Sequence, residues 1–312
     1  MCLRLEARPD YCAVSPTYLQ SMDRSTKFIM LVWRGEANPR MRNLVTAKCV
    51  GRYGRFANQM FTIAGALGIA RKNGYDFALC EPWRNHDGRV FEPDLDIDCF
   101  KRFENEFPIY TGPDLPQIGV SWGYHDIQLT HSADLMGHFQ SQKYFHHCLD
   151  EVKWWFTMKD EGPLLDYVAL HLRRGDYGEQ PTPQHPDGNP YHPRMNMSYC
   201  LPAMEMFPGA KFLVFSDGIE DCKEMFGNSV EYSEGRDYME DFKLMKRCRH
   251  FIISNSSYSA FAAILGDAPD KKVVAPFPWF GGPYDGNLDP KDIYSEGWTV
   301  INYKTQEIKK AA

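Results

Sequence analysis

Short apolar runs alternate with longer amphipathic or wholly apolar stretches along most of this chain. In the first such region the pattern predicts a strand at 44–50, a glycine-rich loop at 51–56, a helix from about Asn58 to Lys72 and a strand at 77–80. The predicted helix is apolar on nearly all sides, which is typical of a buried helix. The region therefore predicts one βαβ unit of a parallel sheet.

A second series of strands and helices begins near residue 166, after a helix predicted at 143–156. Its predicted strands lie at 167–172, 211–216, 230–232 and 250–254. Its predicted helices lie at 198–206, 219–226, 238–248 and 257–265. Strands and helices that alternate in this way predict an α/β fold built on a doubly wound parallel sheet.

The chain is 312 residues long, which suggests about two domains. Residues 1–40 mix prolines with charges and show no sustained period, so we interpret them as an N-terminal extension. The two series then set the remaining boundaries, which are an N-terminal domain at 41–165, a C-terminal domain at 166–301 and a tail at 302–312.

Composition narrows the function classes. Net charge is −6 and no long basic run is present, which argues against a nucleic-acid partner. Nine cysteines are scattered without a Cys-x-x-Cys pair, which argues against a zinc site and favours free thiols in a reducing compartment. No apolar run approaches the roughly 20 residues that a membrane span needs. We therefore expect a soluble, cytoplasmic protein without a transmembrane segment.

The most informative motif is His-Leu-Arg-Arg-Gly-Asp-Tyr at residues 171–177. Arg173 and Arg174 follow an apolar strand, where a guanidinium needs an anionic partner and fits a carboxylate or a phosphate best. Ligands of open α/β sheets bind beyond the carboxyl ends of the strands. The pair therefore indicates a phosphorylated ligand, and the alternative is a structural ion pair between Arg174 and Asp176.

Three further motifs follow predicted strands. The loop and helix start at 54–61 offer free amides that favour anions, or form an ordinary turn capped by Asn58. Asp217 ends an apolar strand and can accept from the N1 and amine donors of guanine, or form an Asx turn that caps the next helix. Ser256 and Ser257 bring hydroxyls to a helix start, which suits a phosphate or simple N-capping.

An acidic stretch at 94–98 contains two Asp-x-Asp triplets, a pattern that can hold a divalent metal under a nucleotide. It lies well before the phosphate candidates along the chain. We therefore interpret it as a solvated acidic segment and predict no metal site.

In this order the four motifs resemble the α-1,2-fucosyltransferases of glycosyltransferase family 11, over roughly residues 44–280. The arginine motif is shared with α-1,6 and protein-O-fucosylating relatives, whereas Asn-Gln-Met-Phe at 58–61 favours the α-1,2 branch. Ala57 departs from the glycine usual in the family. The chain also lacks the membrane anchor of animal members and so resembles the soluble microbial or viral type.

The resemblance implies a GT-B-type glycosyltransferase, in which two Rossmann-like domains face a cleft and the C-terminal domain holds the GDP-sugar. It implies an inverting, metal-independent transfer of L-fucose from GDP-fucose to a galactose 2-hydroxyl of a glycan acceptor. No cofactor is implied, because GDP-fucose is the donor substrate.

The resemblance also implies roles for individual residues. Arg173 would neutralise the leaving diphosphate, with phosphate or donor contacts from His171, Arg174, Ser256 and Ser257. Asp217 would bind the guanine, and Asn58 and Gln59 would line the cleft near the acceptor and the fucose. Asp176 or Glu179 would take the acceptor proton, unless Asp176 only orients Arg174.

Two alternatives remain open from the sequence. One is a transferase for another GDP-6-deoxyhexose or another acceptor hydroxyl, which would need the same phosphate and guanine contacts. The other is a non-catalytic glycan-binding protein with the same fold. We expect the acceptor pocket in the irregular segments 81–140 and 177–193. Aromatic side chains that can stack on sugars there or nearby are Trp83, Trp122, Tyr124 and Trp279, although core packing is their commoner role.

Overall fold

A computed structural model describes residues 43–51, 54–80, 108–120, 122–158, 162–178, 189–282 and 290–312. The predicted extension at 1–40, the acidic triplets at 94–98 and Glu179 lie outside these described residues. None of the described helices is both long enough and apolar enough to cross a bilayer.

The N-terminal unit is built on a parallel sheet of five strands in the order β3-β2-β1-β5-β4. Its elements are β1 (Leu44–Thr46), α1 (Phe56–Asn73), β2 (Asp76–Cys80), β3 (Ile109–Tyr110), β4 (Gln117–Gly119) and β5 (Ala133–Met136). Two 3-10 turns and helix α2 (Leu149–Trp155) follow. The predicted βαβ unit over 44–80 is confirmed by the parallel pairing of β1 with β2.

Helix α1 is buried along most of its length, as its apolar composition predicts. It ends at Gly74, whose φ of 69° places it in the left-handed region that favours glycine at a helix C-terminus. The helix begins at Phe56 with Arg55 as its N-cap residue, two residues before the predicted start. The alternative of a helix cap by Asn58 is therefore wrong, because Asn58 lies within the first turn.

The C-terminal unit contains a sheet of seven strands in the order β12-β11-β10-β9-β6-β7-β8. Its first elements are β6 (Leu165–Leu172), α3 (Met197–Glu205), β7 (Phe212–Ser216), α4 (Ile219–Phe226), β8 (Glu231–Tyr232) and α5 (Tyr238–Lys246). Then come β9 (Cys248–Ile252), α6 (Ser257–Leu265), β10 (Val273–Phe277), a 3-10 turn (Lys291–Ile293), β11 (Thr299–Asn302) and β12 (Ile308–Lys310).

The strand order confirms the predicted doubly wound sheet. Counted from β6, the six parallel strands run in the order 3-2-1-4-5-6 across the sheet, so the direction of winding reverses between β6 and β9. Two mainly parallel sheets with helices confirm the α/β, GT-B-type fold class. The predicted tail at 302–312 includes β12, which pairs antiparallel with β11 and extends the sheet past residue 301.

The two units share one apolar contact surface, in which α1 packs against α5 and α6. Phe61 of α1 meets Phe261 edge-on at 4.7 Å between ring centroids, and Phe56 meets Phe242 edge-on at 5.0 Å. These rings belong to one buried cluster that spans both units. Burial of this surface holds the carboxyl ends of the two sheets in a fixed relation.

Gly68 allows α1 to pack closely on the chain at Tyr144 and Phe145. An added methyl group at Gly68 would overlap the Tyr144 carbonyl oxygen and lie 2.8 Å from the Phe145 Cα, both of which are backbone atoms. We expect Gly68→Ala to lower the free energy of unfolding by about 1–3 kcal/mol, as overpacked cores do.

Urea denaturation of the two proteins would measure this difference. Gly119→Ala in β4 is the matched control, because an added methyl group there meets no atom within 4 Å. Equal loss of stability in both variants would contradict the packing role of Gly68.

Candidate active site

The arginine motif at 171–177 and the serine-rich segment at 254–257 meet between β6 and β9, where the direction of winding of the sheet reverses. Doubly wound sheets bind ligands at this point. His171 belongs to the end of β6, and its Nδ1 lies 2.9 Å from the Ser254 Oγ just after β9. The Tyr177 hydroxyl donates to the Asn255 carbonyl oxygen at 3.1 Å. Parallel pairing of β6 with β9 therefore brings these two motifs together, although about 80 residues separate them along the chain.

Asp217 joins the same site from the end of β7. Its carboxylate accepts from the backbone N–H groups of Arg174 at 2.7 Å and Gly175 at 3.0 Å, and one oxygen lies 2.8 Å from the Arg173 Nη1. A methyl group on Gly175 would overlap Asp217 Oδ2, so only glycine permits this approach. Gly218, not Asp217, occupies the N-cap position of α4, and the alternative of an Asx turn at Asp217 that caps this helix is wrong.

Arg173 is held between two carboxylates. Asp176 Oδ1 accepts from Arg173 Nε at 2.9 Å and lies 2.7 Å from Nη2, while Asp217 engages Nη1. The guanidinium also lies over the Tyr177 ring at 5.8 Å. Burial opposes its charge, but Asp217 and Asp176 together raise the pKa of Arg173. A guanidinium has five N–H groups, and these contacts use three of them, so within the described part of the chain one on each Nη nitrogen remains for a ligand.

Arg174 lies on the other side of the strand end, as adjacent residues of an extended chain do. Its side chain packs under Gly218, where an added Cβ would meet Arg174 Cβ at 2.6 Å, and Nη2 contacts Met225 Sδ. Arg174 is 6% exposed, and its Nε has no hydrogen-bond partner among the described residues. The alternative of a structural ion pair between Arg174 and Asp176 is therefore wrong, because Asp176 pairs with Arg173.

The glycine loop of the N-terminal unit reaches this site through Arg55, whose Nη2 lies 3.5 Å from Asp176 Oδ2. Gln59 is 2% exposed and supports the loop from below, donating from Nε2 to the Gly54 carbonyl oxygen at 3.0 Å. Its Oε1 accepts from the Gly51 N–H. The predicted contact of Gln59 with the donor or acceptor stays a prediction, since its described contacts are within the loop.

Asn58 lies at the edge of the N-terminal unit and accepts at Oδ1 from the Gln140 side chain at 2.5 Å. Ser256 is the N-cap residue of α6 and accepts from the Tyr258 N–H at 3.4 Å, and Ser257 is the first helical residue. The capping alternative for Ser256 is thus confirmed, and phosphate contacts by either serine stay predictions.

The charged groups at this site nearly balance. Arg55 and Arg173 lie against Asp176 and Asp217, and the further positive charge of Arg174 is buried on the other side of the strand end. An anionic ligand would therefore meet the N–H groups that Arg173 keeps at the carboxyl end of β6, where the topology places a ligand.

His171 adds no charge to this cluster. Burial lowers the pKa of His171 well below its usual range, and Arg173 adds to the effect against the opposing influence of Asp217. The imidazole is therefore neutral near pH 7. When Ser254 donates to Nδ1, the His171 Nε2 carries the proton and can donate to a ligand oxygen.

Asp176 is poorly suited to accept a proton. Burial acts to raise the pKa of Asp176, but the charges of Arg173 and Arg55 outweigh it and hold the pKa below its usual range. Its carboxylate is also engaged by both guanidinium groups. Asp176 therefore holds arginine side chains in position. Its main partner is Arg173, and it also contacts Arg55.

Arg55, Asn255 and Arg194 are among the site residues that were not assigned from the sequence. Arg55 and Asn255 stand within the motifs, next to residues that were chosen, but nothing local shows that they reach other elements. Arg194 donates from Nε to the Tyr177 carbonyl oxygen at 2.6 Å. The segment that contains Arg194 has no hydrophobic periodicity from which this contact could be predicted.

The chain matches a known protein family over most of its length. The model of glycosyl transferase family 11 matches residues 24–302. The chain belongs to glycosyl transferase family 11. It is 29% identical over 179 residues to an alpha-1,2-colitosyltransferase of Escherichia coli, which covers 51% of this chain and 60% of that relative. It is 25% identical over 289 residues to galactoside alpha-(1,2)-fucosyltransferase 1 of Homo sapiens, which covers 80% of this chain and 73% of that relative.

The family match confirms the resemblance that the four motifs indicated, and with it the glycosyltransferase class. Among solved structures, the fucosyltransferase NodZ from Bradyrhizobium is similar with a TM-score of 0.37 and 10% identity, over 72% of this chain and 92% of NodZ. The assignment to the family rests on the sequence match rather than on this structural likeness.

We expect Asp176→Asn to lower the free energy of unfolding at pH 7 by about 1–2 kcal/mol, between the values for exposed and buried ion pairs. Because the pKa of Asp176 is lowered by folding, its stabilising effect is present above the unfolded pKa near 3.8 and is lost as the pH falls through the folded pKa.

Urea denaturation between pH 3 and pH 7 would follow the difference between wild type and variant. Asp270→Asn is the matched control, because Asp270 pairs with Arg249 on the exposed surface and a much smaller change is expected. A difference that persists unchanged down to pH 3 would contradict the ion-pair assignment.

Proposed function

We propose that this protein transfers L-fucose from GDP-fucose to the 2-hydroxyl of a galactose unit in a glycan, with inversion and without a metal. The proposal depends mainly on the position of Arg173. Asp176 and Asp217 fix its guanidinium where the winding of the C-terminal sheet reverses, and two of its N–H groups are left for a ligand. Family membership supports the reaction class.

The reaction exchanges one bond at the sugar for another. The acceptor oxygen bonds to fucose C1 as the bond from C1 to the β-phosphate oxygen breaks, and the electron pair of that bond stays on the diphosphate. The acceptor hydroxyl proton passes to a base or to water. Charge develops on the departing GDP, where the two remaining Arg173 N–H groups and His171 Nε2 would donate.

Fixed donors at the leaving group suit an oxocarbenium-like transition state. Arg173 cannot turn away from the site without giving up two carboxylate partners, so its groups are oriented before the substrate binds. Leaving-group stabilisation of this kind reduces the need for a strong base. Asp176 acts as a positioning residue in this scheme, and Glu179 is the remaining candidate for the base.

The contacts of Asp217 favour a different role from the guanine binding that its sequence position suggested. Its two oxygens already meet two backbone N–H groups and one guanidinium nitrogen. Its clearest role is to hold the loop after β6, and binding of guanine by Asp217 stays a prediction.

A second candidate donor is another GDP-6-deoxyhexose. It is favoured by the 29% identity to a relative named as an alpha-1,2-colitosyltransferase. The residues at the diphosphate would serve either donor, because the two differ only in the sugar. Steady-state turnover with each GDP-sugar in parallel distinguishes them, and a higher kcat/KM for the second donor would replace fucose in the proposal.

We expect Arg173→Lys to lower kcat by about 10²-fold or more, because an ammonium cannot reproduce the guanidinium contacts to two carboxylates and a phosphate together. Release of GDP from GDP-fucose in the presence of N-acetyllactosamine measures the effect. Arg249→Lys is the matched control, since Arg249 pairs with Asp166 and Asp270 on the surface. Wild-type turnover of Arg173→Lys would contradict the assigned role.

We also expect acceptor-dependent GDP release to persist in excess EDTA, because protein cations rather than a divalent metal stabilise the departing diphosphate in this mechanism. Linkage analysis of the product identifies the acceptor hydroxyl. Loss of turnover in EDTA that Mg²⁺ or Mn²⁺ restores would overturn metal independence. Binding of glycan and GDP-fucose without release of GDP would support the non-catalytic alternative.

A further inference from the structure

A small aromatic cavity lies in the N-terminal unit, beyond the carboxyl ends of β4 and β5. Its volume is about 130 Å³, and its walls include Val120, Trp122, His138, Phe139, Gln140 and Ile293. The first two follow β4, the next three follow β5, and Ile293 comes from the turn before β11. The cavity therefore lies where open parallel sheets bind ligands, in the half of the molecule opposite the arginine motif.

Trp122 gives the cavity an unusual wall. Its indole stacks on the His138 imidazole at 5.6 Å with an interplanar angle of 26°, and meets Phe280 edge-on at 5.1 Å. Two ring contacts hold the indole in place, yet the residue is 39% exposed. A large aromatic side chain that is fixed and still accessible is a preformed surface for a flat apolar ligand face.

Polar groups stand beside this aromatic wall. The His138 Nδ1 is buried and has no hydrogen-bond partner within the described part of the chain, which is a position that calls for an explanation. Burial lowers the pKa of His138, so the imidazole is neutral and can both donate and accept. The Gln140 amide lies two residues further along the chain and donates to Asn58. An apolar wall with a few hydrogen-bonding groups matches the surface of a neutral sugar.

A row of rings connects the cavity to the arginine site. From Trp122 the row continues through Phe280, then His192 at 5.7 Å and Tyr177 at 4.8 Å. The Arg173 guanidinium lies over the last of these rings. The cavity and the diphosphate donors are thus separate, but they border the same junction between the two units.

We propose that this cavity binds the galactose unit of the acceptor, with Trp122 stacking on the sugar and His138 and Gln140 bonding to its hydroxyls. The proposal rests on the proposed function and names its acceptor subsite. At roughly 30 Å³ for each water, the cavity displaces about four waters, so it takes one side of a single pyranose ring and no longer segment.

Galactose stereochemistry suits this wall. In β-galactopyranose the hydrogens on C3, C4 and C5 lie on one face of the ring, because the 4-hydroxyl is axial and points to the other face. Stacking of that face on Trp122 leaves the equatorial 2-hydroxyl at the rim of the ring, free to approach the donor. In glucose the 4-hydroxyl is equatorial and the C4 hydrogen lies on the opposite face, so we expect weaker binding.

Acceptor kinetics test the subsite. We expect Trp122→Ala to raise the KM for lactose about tenfold or more, as loss of one aromatic contact does, while the Kd for GDP stays within twofold. Trp122→Phe should recover part of the affinity. Leu201→Ala on α3 is the control, because Leu201 is an exposed apolar residue on another surface. Circular dichroism melting checks that each variant is folded.

Saturation-transfer NMR with methyl β-galactoside and the GDP-loaded protein tests the same subsite without turnover. We expect transfer to H3, H4 and H5 of the galactoside, loss of that transfer in Trp122→Ala, and weak transfer to methyl β-glucoside. An unchanged lactose KM in an active, folded Trp122→Ala protein would overturn the subsite and leave the proposed function standing.

The two proposals fail separately. If the wild-type protein neither binds GDP-fucose nor releases GDP, the proposed function fails. The NMR experiment, run without GDP on the wild-type protein and Trp122→Ala, then decides the cavity alone. Transfer that depends on Trp122 supports a galactoside site, and transfer that is absent or unchanged in the variant overturns it.

Discussion

The Arg173 guanidinium, held between Asp176 and Asp217, is the interaction on which the site depends. One carboxylate comes from the turn directly after β6, and the other comes from the end of β7. The two carboxylates offset the burial of the arginine and keep its remaining N–H groups oriented. A guanidinium fixed in this way can serve a diphosphate without the reorganisation that a free surface arginine would need.

The loop after β6 owes its shape to the same carboxylate. Asp217 accepts hydrogen bonds from the backbone N–H groups of Arg174 and Gly175, which would otherwise be left without partners at the strand end. Glycine at 175 allows this approach, since the Cβ of any other residue would clash with Asp217 Oδ2 and displace the carboxylate. The loop, the arginine and the next strand therefore form one unit, in which a change at one part displaces the others.

The N-terminal unit completes the site instead of merely flanking it. Arg55 reaches Asp176 from the start of α1, and the apolar face of the same helix packs on α5 and α6. Burial of that face fixes the distance across the junction, and the ion pair adds a charged contact at its edge. In this arrangement the aromatic cavity beyond β4 and β5 and the arginine motif both lie at the junction between the two units.

The sequence by itself determined the βαβ unit at 44–80, the alternating elements from β6 to α6 that form the doubly wound sheet, and the four motifs at strand ends. These features depend on residues a few positions apart, which is why hydrophobic period and glycine placement predict them. The tertiary structure decided which charges meet. Asp217 lies 43 residues from Arg174 in the chain, and only the parallel register of β6 and β7 brings it to the loop. Local alternation likewise sends Arg173 and Arg174 to opposite sides, so adjacent arginines of one motif have different partners.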